Sequence, residues 1–244
     1  MARVPLDGPA GVTPSSDAPP LSALDRLIPA EIRRDRFARA IEEIGATPGV
    51  RHILEIGASG GDGSTEAWVR GALRNPQRPQ LHCIEVSAAR YAALVERWRA
   101  HDFVHCHHVS SVPVEAFASE EEVARFYGAV RSKLRNVRLE KVLGWLRQDL
   151  AYLREHGLST DGIARIRADL GIARFDAVLI DGSEFAGKAE LDAVYGARFV
   201  LLDDIRSFKN WENDHRLRAD PAYRLVRRSR WLRNGFAVFE RVAP

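Results

Sequence analysis

The chain has 244 residues, of which 45% are hydrophobic and 28% charged, with a formal net charge of +3. That length and apolar content supply one large domain with a sizeable core, or a domain with a lid. The charge is too small to imply a nucleic-acid partner by itself, no stretch reaches the roughly 18 apolar residues of a membrane span, and two cysteines make neither a disulfide framework nor a CxxC metal knot.

Residues 1–20, MARVPLDGPAGVTPSSDAPP, are rich in Pro, Gly, Ala and Ser and lack the apolar core of a signal peptide, so they read as a disordered lead-in. Residues 21–244 read as one domain. Leu24, Leu27 and Ile28, then Phe37, Ile41 and Ile44, recur at helical spacing and predict one or two helices before Pro48 and Gly49. HILEIG (52–57) predicts a first strand, and the segment from Gly63 a helix with Ser64 or Thr65 as its N-cap. LHCIEVS (81–87) is a second strand, AARYAALVERWRAH a helix, and FVHCHHV (103–109) a third strand. Cys83 and Cys106 lie inside these strands and read as buried free thiols, which suits a reducing cytoplasm.

Segment 113–174 interrupts the rhythm with two or three helical stretches. It is too long for one crossover and follows the carboxyl end of strand three, so we expect a helical insertion beside the site, acting as a lid or a dimer surface. FDAVLID (175–181) is the fourth strand, AELDAVYG a helix closed by Gly196, and ARFVLLDD (197–204) the fifth strand. The end reads as two strands about a turn at Arg233-Asn234-Gly235. Alternating strands and helices predict an α/β fold with a doubly wound, mostly parallel sheet, closed by an antiparallel hairpin.

Gly57, Gly60, Gly61 and Gly63 fall between strand one and its helix, where glycine lets a ligand approach backbone N–H groups. The loop matches neither GxGxxG nor a Walker loop, and Glu55 and Asp62 would meet a pyrophosphate with negative charge. Glu85, ending strand two, stands where a carboxylate can accept from both hydroxyls of a ribose. Together, Glu55-Ile-Gly57-Ala-Ser-Gly60-Gly61, Glu85 and the order of elements over 50–242 resemble the class I S-adenosylmethionine-dependent methyltransferases, with their seven-stranded Rossmann-like sheet. The resemblance implies that Glu55, Gly57, Ala58, Gly61 and Ser64 lie along the cofactor, Glu85 holds its ribose, Ser110 or Ser111 borders its adenine, and Asp181 faces the same pocket.

Strand four ends in Asp181 and strand five in Asp203-Asp204. In a parallel sheet these tips are neighbours, and three converging carboxylates need a cation; an oxygen-only set suits Mg²⁺. Successive strand residues point to opposite faces, so the strand must bend for both Asp203 and Asp204 to reach one ion. The pattern is similar to metal-dependent O-methyltransferases of the catechol and caffeoyl-CoA type, which implies a Mg²⁺ ion that activates a substrate hydroxyl. Where the catechol type carries a lysine base, three residues past the first Asp, this chain has Glu184; Lys188, Lys209 and His215 are the other base candidates. That departure leaves a sugar or other aliphatic hydroxyl at least as suitable as a phenol. The expected acceptor is therefore a small hydroxylated molecule, and the expected activity Mg²⁺-assisted O-methylation in natural-product or sugar chemistry. The alternatives are a metal-independent N- or nucleic-acid methyltransferase and a non-catalytic nucleotide-binding domain on the same fold.

Two further patterns carry less. His105, His107 and His108 lack zinc spacing and read as strand histidines, with His108 as a possible border of the cofactor pocket. The stretch from Arg206 to Arg233 is basic, with Trp211 and Trp231 interleaved; it reads as a solvated hairpin face, or as a surface for a phosphorylated or carboxylated substrate or for nucleic acid.

Overall fold

The computed structural model describes residues 23–242, so the lead-in read at 1–20 lies outside the described residues. Seven strands form one sheet: β1 (His52–Ile56), β2 (Gln80–Glu85), β3 (Val104–His108), β4 (Ala177–Ile180), β5 (Phe199–Asp203), β6 (Tyr223–Ser229) and β7 (Phe236–Arg241). Their order is β3-β2-β1-β4-β5-β7-β6, parallel through β5 and antiparallel from β5 to β7 and β6. The chain order reverses between β1 and β4, which opens a crevice at the carboxyl edge of the sheet.

Helices cover both faces. On one side α1 (Arg36–Gly45), α2 (Ser64–Arg74) and α3 (Ala88–Trp98) bury Phe37, Trp68 and Leu94 against Ile53, Leu81 and Leu201. On the other, α6 (Gly162–Asp169), α7 (Gly187–Val194) and α8 (Phe208–Ala219) bury Ile163, Leu191 and Leu217 against Leu54, Val178 and Val200. Central strands apolar on both faces follow from this double cover.

The sequence pattern of each element has a local cause. Asp35 caps α1 by accepting from the Phe37 and Ala38 amides at 2.7 and 2.9 Å, and Ser119 closes a capping box with Glu122 at α4 (Glu120–Ala129). Leu24, Leu27 and Ile28 do not form the predicted helix. Only a 3₁₀ turn, Ala23–Asp25, appears there, and Leu27 and Ile28 are exposed. Pro29 disfavours helical geometry at Ile28, so no helix runs on from the turn. Neither Ser64 nor Thr65 caps α2: the cap position is Gly63, with no side-chain hydrogen bond. The connection between β6 and β7 runs over 230–235, longer than a two-residue Asn-Gly turn, with Arg233 at φ +52° and Gly235 at φ +86°.

The insertion holds α4 and α5 (Leu139–Glu155), whose Val123, Val142 and Leu146 make a small core with Phe185, against which Phe208 also packs. Phe185 follows β4 and Phe208 opens α8, so the insertion sits over the carboxyl edge. The inserted part narrows to 114–158, because α6 packs on the sheet as the crossover helix. Among the described residues, no helix is long and apolar enough to cross a membrane.

Candidate active site

A cavity of about 320 Å³ opens at the carboxyl edge. Its floor is the β1–α2 loop. Gly57 has φ +86°, and a Cβ there would collide with the Asp181 carbonyl, so only glycine lets the tips of β1 and β4 close together. Ala58, Ser59, Gly63 and Ser64 continue the wall, and α2 starts there without a side-chain cap, leaving helix N–H groups toward the cavity. Glu85 lines the opposite side. Its Oε2 accepts from the Ser59 amide at 2.7 Å and its Oε1 from the Ser87 amide at 2.8 Å. Burial pushes the Glu85 carboxyl above its ordinary range, against these amides and Arg90.

Ser110 and Ser111 also line the cavity, and Ser111 Oγ donates to Glu190 Oε1 at 2.6 Å. Glu190 is fully buried, its Oε2 has no partner, and burial raises its carboxyl to about 7. Two residues that the resemblance assigns to the cofactor stand behind the wall instead. Glu55 is fully buried and accepts from Thr65 Oγ1 at 2.7 Å and from the Cys83 thiol at 3.3 Å. Gly61, at φ +74°, makes room for Trp98, whose Nε1 donates to its carbonyl at 3.0 Å. Cys83 is buried and Cys106 half-buried, both free. His108 is also outside the wall; it stacks on Tyr91 and bonds the Val86 carbonyl.

At the other end of the cavity the strand tips bring Asp181, Asp203 and Asp204 together, with one oxygen from each within 4.8 Å of the others. Asp204 sits at φ +55°, and this left-handed residue supplies the bend that two successive carboxylates need to face one point. The cluster also contains its own cations. Lys209, on the first turn of α8 and only 8% exposed, donates to Asp181 Oδ1 at 2.7 Å and to Asp204 Oδ2 at 3.2 Å. Arg233, from the β6–β7 connection, donates to Asp203 Oδ1 at 3.2 Å and pairs with Asp35. Burial, then Asp181 and Asp204, push Asp203 up to about 8. Burial works to lower the Lys209 pKa, but Asp181, Asp204 and Glu184 outweigh it and hold the ammonium well above its ordinary value. Lys209 is thus a cation and donor here rather than a base.

The remaining base candidates divide. Glu184 Oε1 accepts from the Phe208 and Lys209 amides at 2.7 and 3.3 Å, so it caps α8 from outside the helix. Lys188 is exposed and faces Glu212 at 3.7 Å. His215 is exposed against Trp211, beside a different hollow. Neither Lys188 nor His215 is brought to the cavity. Asn210 joins the site structurally: its Nδ2 donates to the Ile180 and Asp203 carbonyls at 3.0 and 2.6 Å, tying both strand tips to α8.

Sequence reasoning missed the lid side. Residues 24–32 run along the cavity mouth, and Asp149 and Tyr152 of α5 reach into it. Tyr152 Oη donates to Asp25 Oδ1 at 2.8 Å and accepts from the Ala88 amide at 3.0 Å. Burial raises Asp149 to about 6, although Ser183 Oγ donates to it at 2.7 Å. Only the position of the insertion after strand three pointed this way; no local motif marks Asp149 or Tyr152.

Mg²⁺ with bonds of about 2.1 Å sets opposite ligands about 4.2 Å apart. Three carboxylate oxygens already within 4.8 Å fit such an ion after a small contraction, and oxygen-only donors suit it. The Lys209 ammonium competes for two of the same carboxylates and would have to give way.

No protein-family model matches the chain, and no curated protein does. Among solved structures the chain is similar to a candidate O-methyltransferase from Klebsiella pneumoniae (TM-score 0.54, 15% identity, covering 92% of each chain). It is also similar to a candidate caffeoyl-CoA O-methyltransferase from Staphylococcus aureus (TM-score 0.50, 12% identity, covering 87% of this chain and 86% of that one). At these identities the likeness defines the fold: a Rossmann-like methyltransferase sheet with its terminal antiparallel hairpin.

Proposed function

We propose that this chain is an S-adenosylmethionine-dependent O-methyltransferase, Mg²⁺-assisted, acting on a hydroxyl of a small molecule. One observation carries the reading: the glycine loop, Glu85 and the three carboxylates line a single cavity at the carboxyl edge. The cofactor supplies a methyl group on a sulfonium. Gly57 and Ala58 offer backbone beneath its amino-acid part, and Glu85 takes the ribose. A carboxylate has about four acceptor positions, and Glu85 uses its two oxygens on backbone amides around it, Ser59 and Ser87 chief among them, with capacity left for a ribose hydroxyl. Ser110 and Ser111 border the adenine end. Asp181, Asp203 and Asp204 would hold Mg²⁺, which when bound lowers the pKa of an acceptor hydroxyl. The insertion and residues 24–32 exclude water and orient the acceptor, and positioning of this kind supplies much of the rate.

Calorimetric titration with S-adenosylmethionine tests the cofactor assignment, and absence of binding would sink it. Asp203→Ala and Asp204→Ala should each lower turnover at least about 100-fold and remove its Mg²⁺ dependence. Full turnover in excess chelator would remove the metal from the proposal.

A second reading has its own support. Lys209 already bridges Asp181 and Asp204, so the fixed ammonium can replace the metal as the cation beside a developing alkoxide. In that case turnover ignores chelator and depends on Lys209.

A further inference from the structure

A second hollow, of about 310 Å³, lies outside the cavity described above, and five arginines converge on it: Arg131, Arg206, Arg218, Arg228 and Arg230. They come from four separate stretches of chain. Arg131 follows α4, Arg206 follows β5, Arg218 is on α8, and Arg228 and Arg230 belong to β6 and its exit. Trp211, His215 and Arg218 recur at helical spacing, so α8 presents them as one stripe.

The charges around this hollow are not balanced. Asp214, fully buried beneath it, accepts from Arg228 Nε and Nη2 at 3.0 and 2.7 Å and from Arg218 Nε at 3.2 Å. That one carboxylate fixes two guanidinium groups. The Arg206 guanidinium donates only to the Arg230 carbonyl, at 3.3 Å, and Arg131, Arg206 and Arg230 have no carboxylate partner among the described residues. Like charges gathered in a concavity are unfavourable unless an anion joins them. Guanidinium forks match phosphate oxygens in geometry as well as charge.

The hollow is also close to the proposed chemistry. Arg206 is two residues past Asp204, a span of at most about 7 Å. The helix that sets Lys209 among the carboxylates carries the hollow's aromatic and basic stripe on its next turns.

We propose that this hollow binds the phosphate group of a small phosphorylated molecule. Resting on the methyltransferase reading, that molecule is the methyl acceptor, anchored by its phosphate while its hydroxyl reaches the carboxylate cluster. A compact hollow of this size fits a phosphorylated metabolite better than it fits an extended nucleic-acid strand, which needs a groove tracking its backbone.

Calorimetry with inorganic pyrophosphate tests this on the full chain, alone and saturated with S-adenosylhomocysteine. The comparison variant is Arg131→Ala with Arg230→Ala, both exposed and outside the Asp214 ion pairs. Pyrophosphate should bind the unmodified chain and bind the double variant at least tenfold more weakly, with S-adenosylhomocysteine affinity unchanged. Both ligands should bind together. Absence of pyrophosphate binding at millimolar concentration, or equal binding in the variant, overturns the site. Exclusion of pyrophosphate by S-adenosylhomocysteine overturns the acceptor assignment. A single-stranded oligonucleotide that displaces pyrophosphate, binds more tightly and loses affinity steeply with salt overturns it in favour of nucleic acid. If S-adenosylhomocysteine fails to bind while pyrophosphate behaves as expected, the methyltransferase reading falls and the anion site stands.

Discussion

Glu190 shows how a residue can matter to this cavity without any motif. Its carboxyl is fully buried, receives one hydrogen bond from Ser111, and has one oxygen with no partner. Burial dominates its pKa, Ser111 and Lys209 oppose, and Asp181 adds to the rise, so the group stays half-protonated near pH 7. A carboxyl whose folded pKa lies above its unfolded value loses stabilisation as pH rises. The loss begins near the unfolded value of about 4.5 and is complete above about 7. The interval corresponds to roughly 3 kcal/mol. Glu190→Gln cannot ionise and should escape this penalty. We expect urea unfolding to give the variant a stability relative to the parent that rises by about 2–3 kcal/mol from pH 5 to pH 8. A pH-independent difference would mean that Glu190 is solvated or paired in solution.

The elements around the mouth act through a few polar ties. The 3₁₀ turn at Ala23–Asp25, α3 and α5 meet at Tyr152, whose hydroxyl joins Asp25 and the Ala88 amide, while Ser87 Oγ adds a bond to Asp25 at 3.1 Å. This junction holds the start of residues 24–32 over the cavity, together with the Arg90 bond to the Arg26 carbonyl at 2.9 Å and buried Ile32 at the far end, while Leu27 and Ile28 bury little. Tyr152→Phe keeps the ring and removes both bonds, each worth about 1 kcal/mol. S-adenosylhomocysteine should then bind about three- to tenfold more weakly, with faster amide exchange over 24–32 and little change in β1 or β4. Unchanged exchange in that segment would show that the strap is held by packing instead. The same contrast explains what the sequence disclosed. Strands β1, β2, β4 and β5 were legible because their apolar runs are short and end in glycine or acid, and β3 by its place after a helix in the alternating order. The strap and the Tyr152 junction were not, because they rest on contacts 127 residues apart in sequence, Asp25 to Tyr152. Asp203 and Asp204 were legible as a pair, and the need for a bend followed from strand geometry. The answer, a left-handed Asp204, needed coordinates. Lys209 was visible only as one candidate base among several, since nothing local says that α8 will turn it into the carboxylates.

For the whole molecule, the sheet joins two cores and the site hangs on its carboxyl edge, so ligand binding should register as global stability. A ligand at 100 times its dissociation constant adds about 2.7 kcal/mol, which for a domain of this size is about 5–10 °C in melting temperature. S-adenosylhomocysteine should produce such a shift if the cavity is a cofactor site. The response to Mg²⁺ then separates the two readings of the carboxylate cluster, through Lys209. Its ammonium holds two of the carboxylates a metal would take, and it repels a divalent cation nearby. Lys209→Met leaves Asp181 and Asp204 uncompensated, so its baseline stability should fall by the several kcal/mol typical of a broken buried ion pair, and its melting point with it. The informative quantity is therefore the shift on adding Mg²⁺, not the absolute temperature. With S-adenosylhomocysteine present, the midpoint of that shift should move to at least tenfold lower Mg²⁺ in Lys209→Met than in the parent chain. If Mg²⁺ shifts neither protein, Asp181 and Asp204 serve to hold Lys209, as Asp203 holds Arg233. Turnover should then survive chelator and collapse in Lys209→Met by about 100-fold or more, the cost of losing a preorganised charge beside the reacting oxygen.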